Sequence, residues 1–141
     1  MSKYSEMASI TRVLLERELD IHRQNLNQSR QIEGELAQID VMRTAAQSDG
    51  GAISARQILG ADTLWQGWLL NKRADVLRRA AGARALELVS RDKASFAFSR
   101  LQAVEQLIEQ DTKENLRKRE LAEAETIEAL GRLKRALDQK D

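Results

Sequence analysis

Cysteine and proline are absent from this chain, histidine occurs once, and aromatic residues make up only 4%. Each absence excludes something. Without cysteine there is no disulfide, no thiolate metal ligand and no thiol nucleophile, and a reducing compartment fits that usage. Without proline, nothing in the sequence forces a helix to kink or stop. With so few aromatics, the chain lacks the bulk that fills the centre of an ordinary domain of this length. No apolar run approaches the ~20 residues of a membrane span, and the opening MSKYSEMASITR has no apolar stretch of signal-peptide length. A soluble, cytoplasmic protein is expected.

What the chain does have is helix-forming material. Of its 141 residues, 32% are Asp, Glu, Lys or Arg and 42% are hydrophobic. Ala, Leu, Arg, Glu and Gln dominate, all good helix formers. That balance predicts long helices sharing a narrow seam, one domain in all. Net charge is +1 but unevenly spread. Residues 1–49 carry 6 basic and 8 acidic side chains, residues 62–100 carry 8 and 4, and residues 101–141 carry 8 and 10. A middle of net +4 between ends of net −2 each implies a partner surface, an anionic ligand, or attraction between segments of one fold.

Met7, Ile10, Val13, Leu14, Ile21, Leu26, Ile32, Leu36 and Ile39 recur at helical spacing, predicting a helix over about 6–47. Ile10, Ile21 and Ile32 lie eleven apart, a period that suits a nearly straight coiled coil better than a strict heptad does. At ~1.5 Å per residue such a helix is about 60 Å long. Gln47-Ser48-Asp49-Gly50-Gly51 marks a turn. Within a tip of residues 48–62, Ile53 to Leu59 predicts a short helix closed by Gly60. Thr63-Leu64-Trp65-Gln66 matches a capping box and predicts the start of a second helix over about 63–137, with Asp62 the other candidate cap.

In that helix Leu69, Val76, Ala80 and Ala83, then Ala94, Ala97, Leu101, Val104 and Ile108, keep the three- and four-residue steps of a coiled-coil seam. Leu116, Ile127, Leu130, Leu133 and Leu137 continue an apolar stripe to its end. Two long helices joined by a short connection run antiparallel. The expected fold is therefore all-α, a long antiparallel two-helix coiled-coil hairpin with a short helical segment at its tip. Its arms are unequal, so the last thirty or so residues have no mate within the chain unless the second helix breaks and folds back. A stripe without a mate implies oligomerisation or another protein's groove.

Catalytic signals are missing. The Gly50-Gly51 pair lacks the lysine and preceding strand of a phosphate loop. His22 has Glu18 four residues before it, which reads as a solvated pair on a charged helix. Glu120, Glu123 and Glu125 alternate with Lys and Arg and read as a solvated face. No metal site, cofactor site or small-molecule substrate is expected. Nucleic-acid binding through residues 72–100 is the weakest reading, because net +4 over that length is modest beside strongly basic binding domains.

Two stretches carry a resemblance. One is RLQAVEQLIEQDTKENLRKRELAEAETIEALGRL, residues 100–133, with an apolar step followed by a charged Arg/Lys/Glu-rich helix. The other is LWQGWLLNKRADV, residues 64–76. Together with size and the proline-free hairpin, they make the chain similar to the FliJ family of flagellar export proteins and, more broadly, to the coiled-coil stalks of type III secretion systems. The resemblance implies a non-enzymatic cytoplasmic protein, peripheral to the inner-membrane export apparatus. The paired terminal ends of its hairpin would enter a hexameric export ATPase and promote its assembly or coupling. It also implies contacts with the export gate's cytoplasmic domain and with export chaperones. Mapped here, Arg12 and Arg17 on the first helix and Arg117, Lys118 and Arg119 on the second would face the ring. A general coiled-coil adaptor or scaffold is the alternative.

Both tryptophans fall in the second stretch. Trp65 and Trp68 share a helix face with Leu69 and Lys72. The rings are expected to close the hairpin's tip, packing on Ile53, Ile58, Leu59 and Ile39 or Met42. Alternatively, at least one ring stays exposed beside Lys72 and Arg73 as a partner anchor.

Overall fold

A computed structural model of the chain describes residues 3–48 and 60–140. The fold is all-α, two long helices packed against each other as a helical hairpin, with no strand among the described residues. Helix α1 spans Ser5–Ser48 and helix α2 spans Ala61–Asp138, unbroken over 78 residues. The alternative in which the second helix folds back is thereby excluded. The short helix expected over 53–59 lies outside the described residues.

Helix α2 starts before the expected capping box. Gly60 has φ +73°, the left-handed region that glycine enters without a Cβ clash, and its carbonyl accepts the first helical bond from the Leu64 N–H at 3.2 Å. Thr63 therefore sits inside the first turn, where it is not the cap, and Asp62 supplies the negative charge favoured at a helix N-terminus. Glu6 does the same for α1, and Arg135 lies in the last turn of α2, where a cation is favoured.

The chain divides into two compact units, one of Leu15–Phe96 and one of Met1–Leu14 with Ala97–Asp141. In the first, Leu69, Arg73, Val76, Ala80, Ala83, Glu87, Ser90 and Ala94 of α2 turn inward in steps of four and three. On α1, Leu15, Glu18, His22, Asn25, Ser29, Ile32, Leu36, Ile39 and Arg43 do the same. The pairs Asp40–Arg73, Glu35–Arg79 and His22–Ser90 show that residue numbers fall on α2 as they rise on α1, so the helices are antiparallel. Ile32, Ile39, Leu69, Val76 and Ala83 form its apolar core, with Leu36 and Ala80 packed against it. In the second unit Ala8 of α1 is buried, as are Ala97, Leu101 and Val104 of α2, and Arg12 reaches Glu105 at 3.8 Å.

The seam is thus a strict heptad on both helices, and the eleven-residue period expected for α1 does not describe it. Of Ile10, Ile21 and Ile32, only Ile32 is buried; the other two face outward with Met7, Val13 and Leu14. The reason is chemical. From Glu18 to Ser29 the inward positions of α1 are polar, so spacing of the apolar residues alone follows the wrong stripe. Three of these polar side chains are tied across the seam. His22 Nδ1 lies 2.7 Å from Ser90 Oγ, Asn25 donates to the Leu86 carbonyl at 3.3 Å, and Ser29 donates to Glu87 at 3.1 Å. Ser90 also donates to the Glu87 carbonyl at 3.0 Å. With its one proton used there, Ser90 is left to accept from His22 Nδ1–H. His22 is therefore a seam residue and not a solvated one.

Leu69 and Val76 are both 1% exposed, and each such burial stabilises by about 1.5–3 kcal/mol. Leu70, next in sequence, faces solvent. Leu69→Ala is expected to lower unfolding free energy in urea by about 2–5 kcal/mol, whereas Leu70→Ala changes it by less than about 0.5 kcal/mol. Similar losses from the two substitutions would contradict the assigned register.

Candidate partner-binding surfaces

With two helices, each can bury only one stripe, and the remaining apolar side chains are available to partners. Three surfaces stand out. The first is the end of α2. From Thr112 to Lys140 every residue is exposed except half-buried Gly131. Leu116, Leu121, Ile127, Leu130, Leu133 and Leu137 all face solvent. Continuing the seam past Asp111 would bring Asn115, Lys118, Ala122, Glu125, Ala129, Arg132 and Ala136 inward. Leu116, Leu130, Leu133 and Leu137 each fall one residue later, which turns them by about 100° around the helix. This stripe is a separate face, and not the hairpin seam prolonged. Charge along it is banded: Arg117, Lys118 and Arg119, then Glu120, Glu123, Glu125 and Glu128, then Arg132, Lys134 and Arg135.

The residues expected at an ATPase ring are not one cluster. Arg12 meets α2 at Glu105, twelve residues and about 18 Å along the helix before Arg117. Arg117, Lys118 and Arg119 are exposed on the terminal stretch. Arg17 belongs to the other unit and has no ion-pair partner among the described residues.

The second surface surrounds the tryptophans. Their rings stack with centroids 5.2 Å apart and planes 15° from parallel. Trp65 is 41% and Trp68 52% exposed, and neighbouring Leu64 is more exposed still. The neighbours expected to act with them separate. Leu69 is core, Arg73 Nε donates to Asp40 at 2.9 Å, and Lys72 stays outside. Ile39 belongs to the core, and Met42 is exposed. Packing on Ile53, Ile58 and Leu59 lies outside the described residues. Each ring covers part of the other, and both keep a large exposed share.

The third surface is a depression of about 480 Å³ between the helices, lined by Ser29, Glu33, Leu77, Ala80, Ala81, Arg84 and Glu87. Elsewhere on the pair, Arg79 grips Glu35 with two hydrogen bonds, 2.6 and 3.2 Å long. Those bonds, opposed by desolvation and aided by the charges of Arg79 and Lys72, hold the Glu35 carboxyl below its ordinary value of 4.5. The same pairing raises Arg79.

The polar ties of the seam escape a reading by apolar spacing. Their signal was present, since Glu18, His22, Asn25 and Ser29 occupy four consecutive inward positions, but only a heptad count reveals it. Glu18 Oε2 is buried with no hydrogen-bond partner among the described residues, the costliest atom in that stretch. No group of three His, Cys, Asp or Glu that could hold a metal ion exists among the described residues. No helix there is long and apolar enough to cross a membrane. Comparison with protein families, curated proteins and solved structures finds no match.

Two measurements check these surfaces. Trp65→Phe and Trp68→Phe should each leave a single indole that acrylamide quenches readily; two shielded rings would contradict their outward placement. Glu35 should titrate below the usual glutamate range by carboxyl NMR and return to it in Arg79→Gln. A carboxyl whose folded value is depressed adds stability above its unfolded value, and that stability is lost as pH falls through the folded one. The tie is therefore expected to survive mild acid and release only below the ordinary carboxylate range.

Proposed function

We propose that this chain is a non-enzymatic stalk or adaptor of a bacterial flagellar or type III protein-export apparatus. In this reading the terminal stretch of α2 inserts into the hexameric export ATPase and promotes its assembly or coupling. Other faces of the hairpin contact the export gate's cytoplasmic domain and export chaperones, beneath the inner membrane. One observation carries the reading. Residues 112–138 extend as helix past the last buried seam residue and keep an apolar stripe turned away from the seam. A helix with a half-apolar face and banded charge suits a groove lined by other helices or loops. Arg117, Lys118 and Arg119 would meet an acidic patch of the ring, and Arg12, tied to Glu105, serves that unit as a brace.

A second reading, a coiled-coil adaptor or scaffold independent of any ATPase, draws on the exposed Trp65–Trp68 pair. The two separate on deletion. A chain ending at Thr112 should keep its helical circular-dichroism signal and cooperative melting yet lose stimulation of the export ATPase. Undiminished stimulation by the shortened chain would overturn the stalk reading and favour the scaffold.

A further inference from the structure

Within the unit of Leu15–Phe96, one side of the hairpin is built from the residues directly before the inward positions. Glu35 of α1 and Arg79 of α2 both belong to these rows and grip each other, so the two rows border the same side. One heptad on along each helix, about 10 Å, Gln28 stands opposite Leu86; one heptad further, Ile21 stands opposite Lys93. Ile21, Leu86, Val89 and Phe96 are exposed in these rows and form an apolar stripe. Its charge is of one sign. Past the Glu35–Arg79 tie, the two rows carry Arg17 and Lys93 and no carboxylate. Neither cation has an ion-pair partner among the described residues. Of the acids near them in sequence, Glu18 and Glu87 occupy inward positions and Glu16 falls in the row of the opposite side. Asp20 and Asp92 each come two residues after an inward position, on the back of their helix, and Asp20 is held by Arg23 at 3.0 Å.

We infer that this face receives an acidic amphipathic helix of another protein, its apolar side chains on the stripe and its carboxylates on Arg17 and Lys93. The make-up of the face selects among occupants. The same face of a second copy, in any orientation, would bring cations and no acid to meet Arg17 and Lys93. Nucleic acid would find two cations beside an apolar stripe, too few for a contact whose affinity comes from neutralising phosphates. The acyl boundary of a membrane would strip water from Gln24, Gln28 and Gln31, which lie in the same row as Ile21, and leave their amides without partners. A helix answers all three groups together. Apolar residues at three- and four-residue steps fill the stripe, flanking acids meet the cations, and polar side chains bond the glutamines. Arg17 lies four residues before Ile21, so the two cations stand within about one turn of each other at the Phe96 end of the stripe. The partner's carboxylates belong at that end. The contact uses residues 17–31 and 86–96 and leaves 112–138 free, so it stands independently of the stalk reading.

The probe is a fluorescein-labelled synthetic helix about three heptads long, with leucine on its apolar face and glutamate on its flanks. A counterpart carries lysine in place of each glutamate. Anisotropy with the full chain should give Kd at or below about 50 µM for the acidic helix, and binding at least about tenfold weaker for the lysine one. Arg17→Glu with Lys93→Glu in one chain should weaken the acidic helix by roughly tenfold or more and make the lysine helix the better ligand. Arg30→Glu with Arg84→Glu makes the same change of net charge on the opposite side and should leave acidic-helix binding as it was. Val89→Glu should abolish that binding while the helical circular-dichroism signal remains. An acidic helix that fails to bind at about 100 µM would overturn the inference. So would equal losses from the two double exchanges, the mark of diffuse attraction to the whole chain. Anionic vesicles or duplex DNA held by the wild type and released by Arg17→Glu with Lys93→Glu, in the absence of acidic-helix binding, would assign the face to a membrane surface or to nucleic acid instead. Self-association abolished by Val89→Glu would assign it to a second copy.

Discussion

Heptad-spaced contact between two antiparallel helices is the constraint from which the other features follow. A pair of helices shields one stripe on each partner and nothing else. Stability is therefore concentrated where the stripe is apolar, at Ile32, Leu36 and Ile39 against Leu69, Val76 and Ala83. Among the described residues, the large apolar side chains off that stripe face water, which is why many leucines, the tryptophans and both phenylalanines are exposed.

Along α1 the seam changes character. Its apolar part gives way to Ser29, Asn25, His22 and Glu18, the first three tied across to Glu87, Leu86 and Ser90. Directional bonds hold register where hydrophobic contact is indifferent to sliding, so this stretch fixes which residues meet more than it adds to stability. The orphaned oxygen of Glu18 works the other way, since an unsatisfied buried acceptor favours local opening there. Register and ease of opening are set by the same few residues.

The helices were legible because nothing in the sequence opposes them, and their bounds fall within two residues of those read from spacing. The α2 seam was legible because it is apolar at most inward positions. The α1 seam was not, because Ile10 and Ile21 advertise a stripe that faces water while His22 and Asn25 face the partner. The start of α2 was misplaced for a local reason: Gly60 turns the backbone through its left-handed φ, which lets the helix begin before Thr63. The candidate surfaces were legible as residue types and not as clusters. Arg12 and Arg117 share a sign, but Arg12 meets α2 at Glu105, a dozen residues before Arg117, and Leu69 and Trp68 are neighbours that point to opposite environments.

The offset of the Leu116–Leu137 stripe has a consequence for register. Beyond Asp111 the prolonged seam line offers Asn115, Lys118, Glu125 and Arg132, while the leucines stand about 100° away. Were α1 to slide toward that end, it would exchange Ala97, Leu101 and Val104 for those polar side chains. The offset therefore penalises the slip.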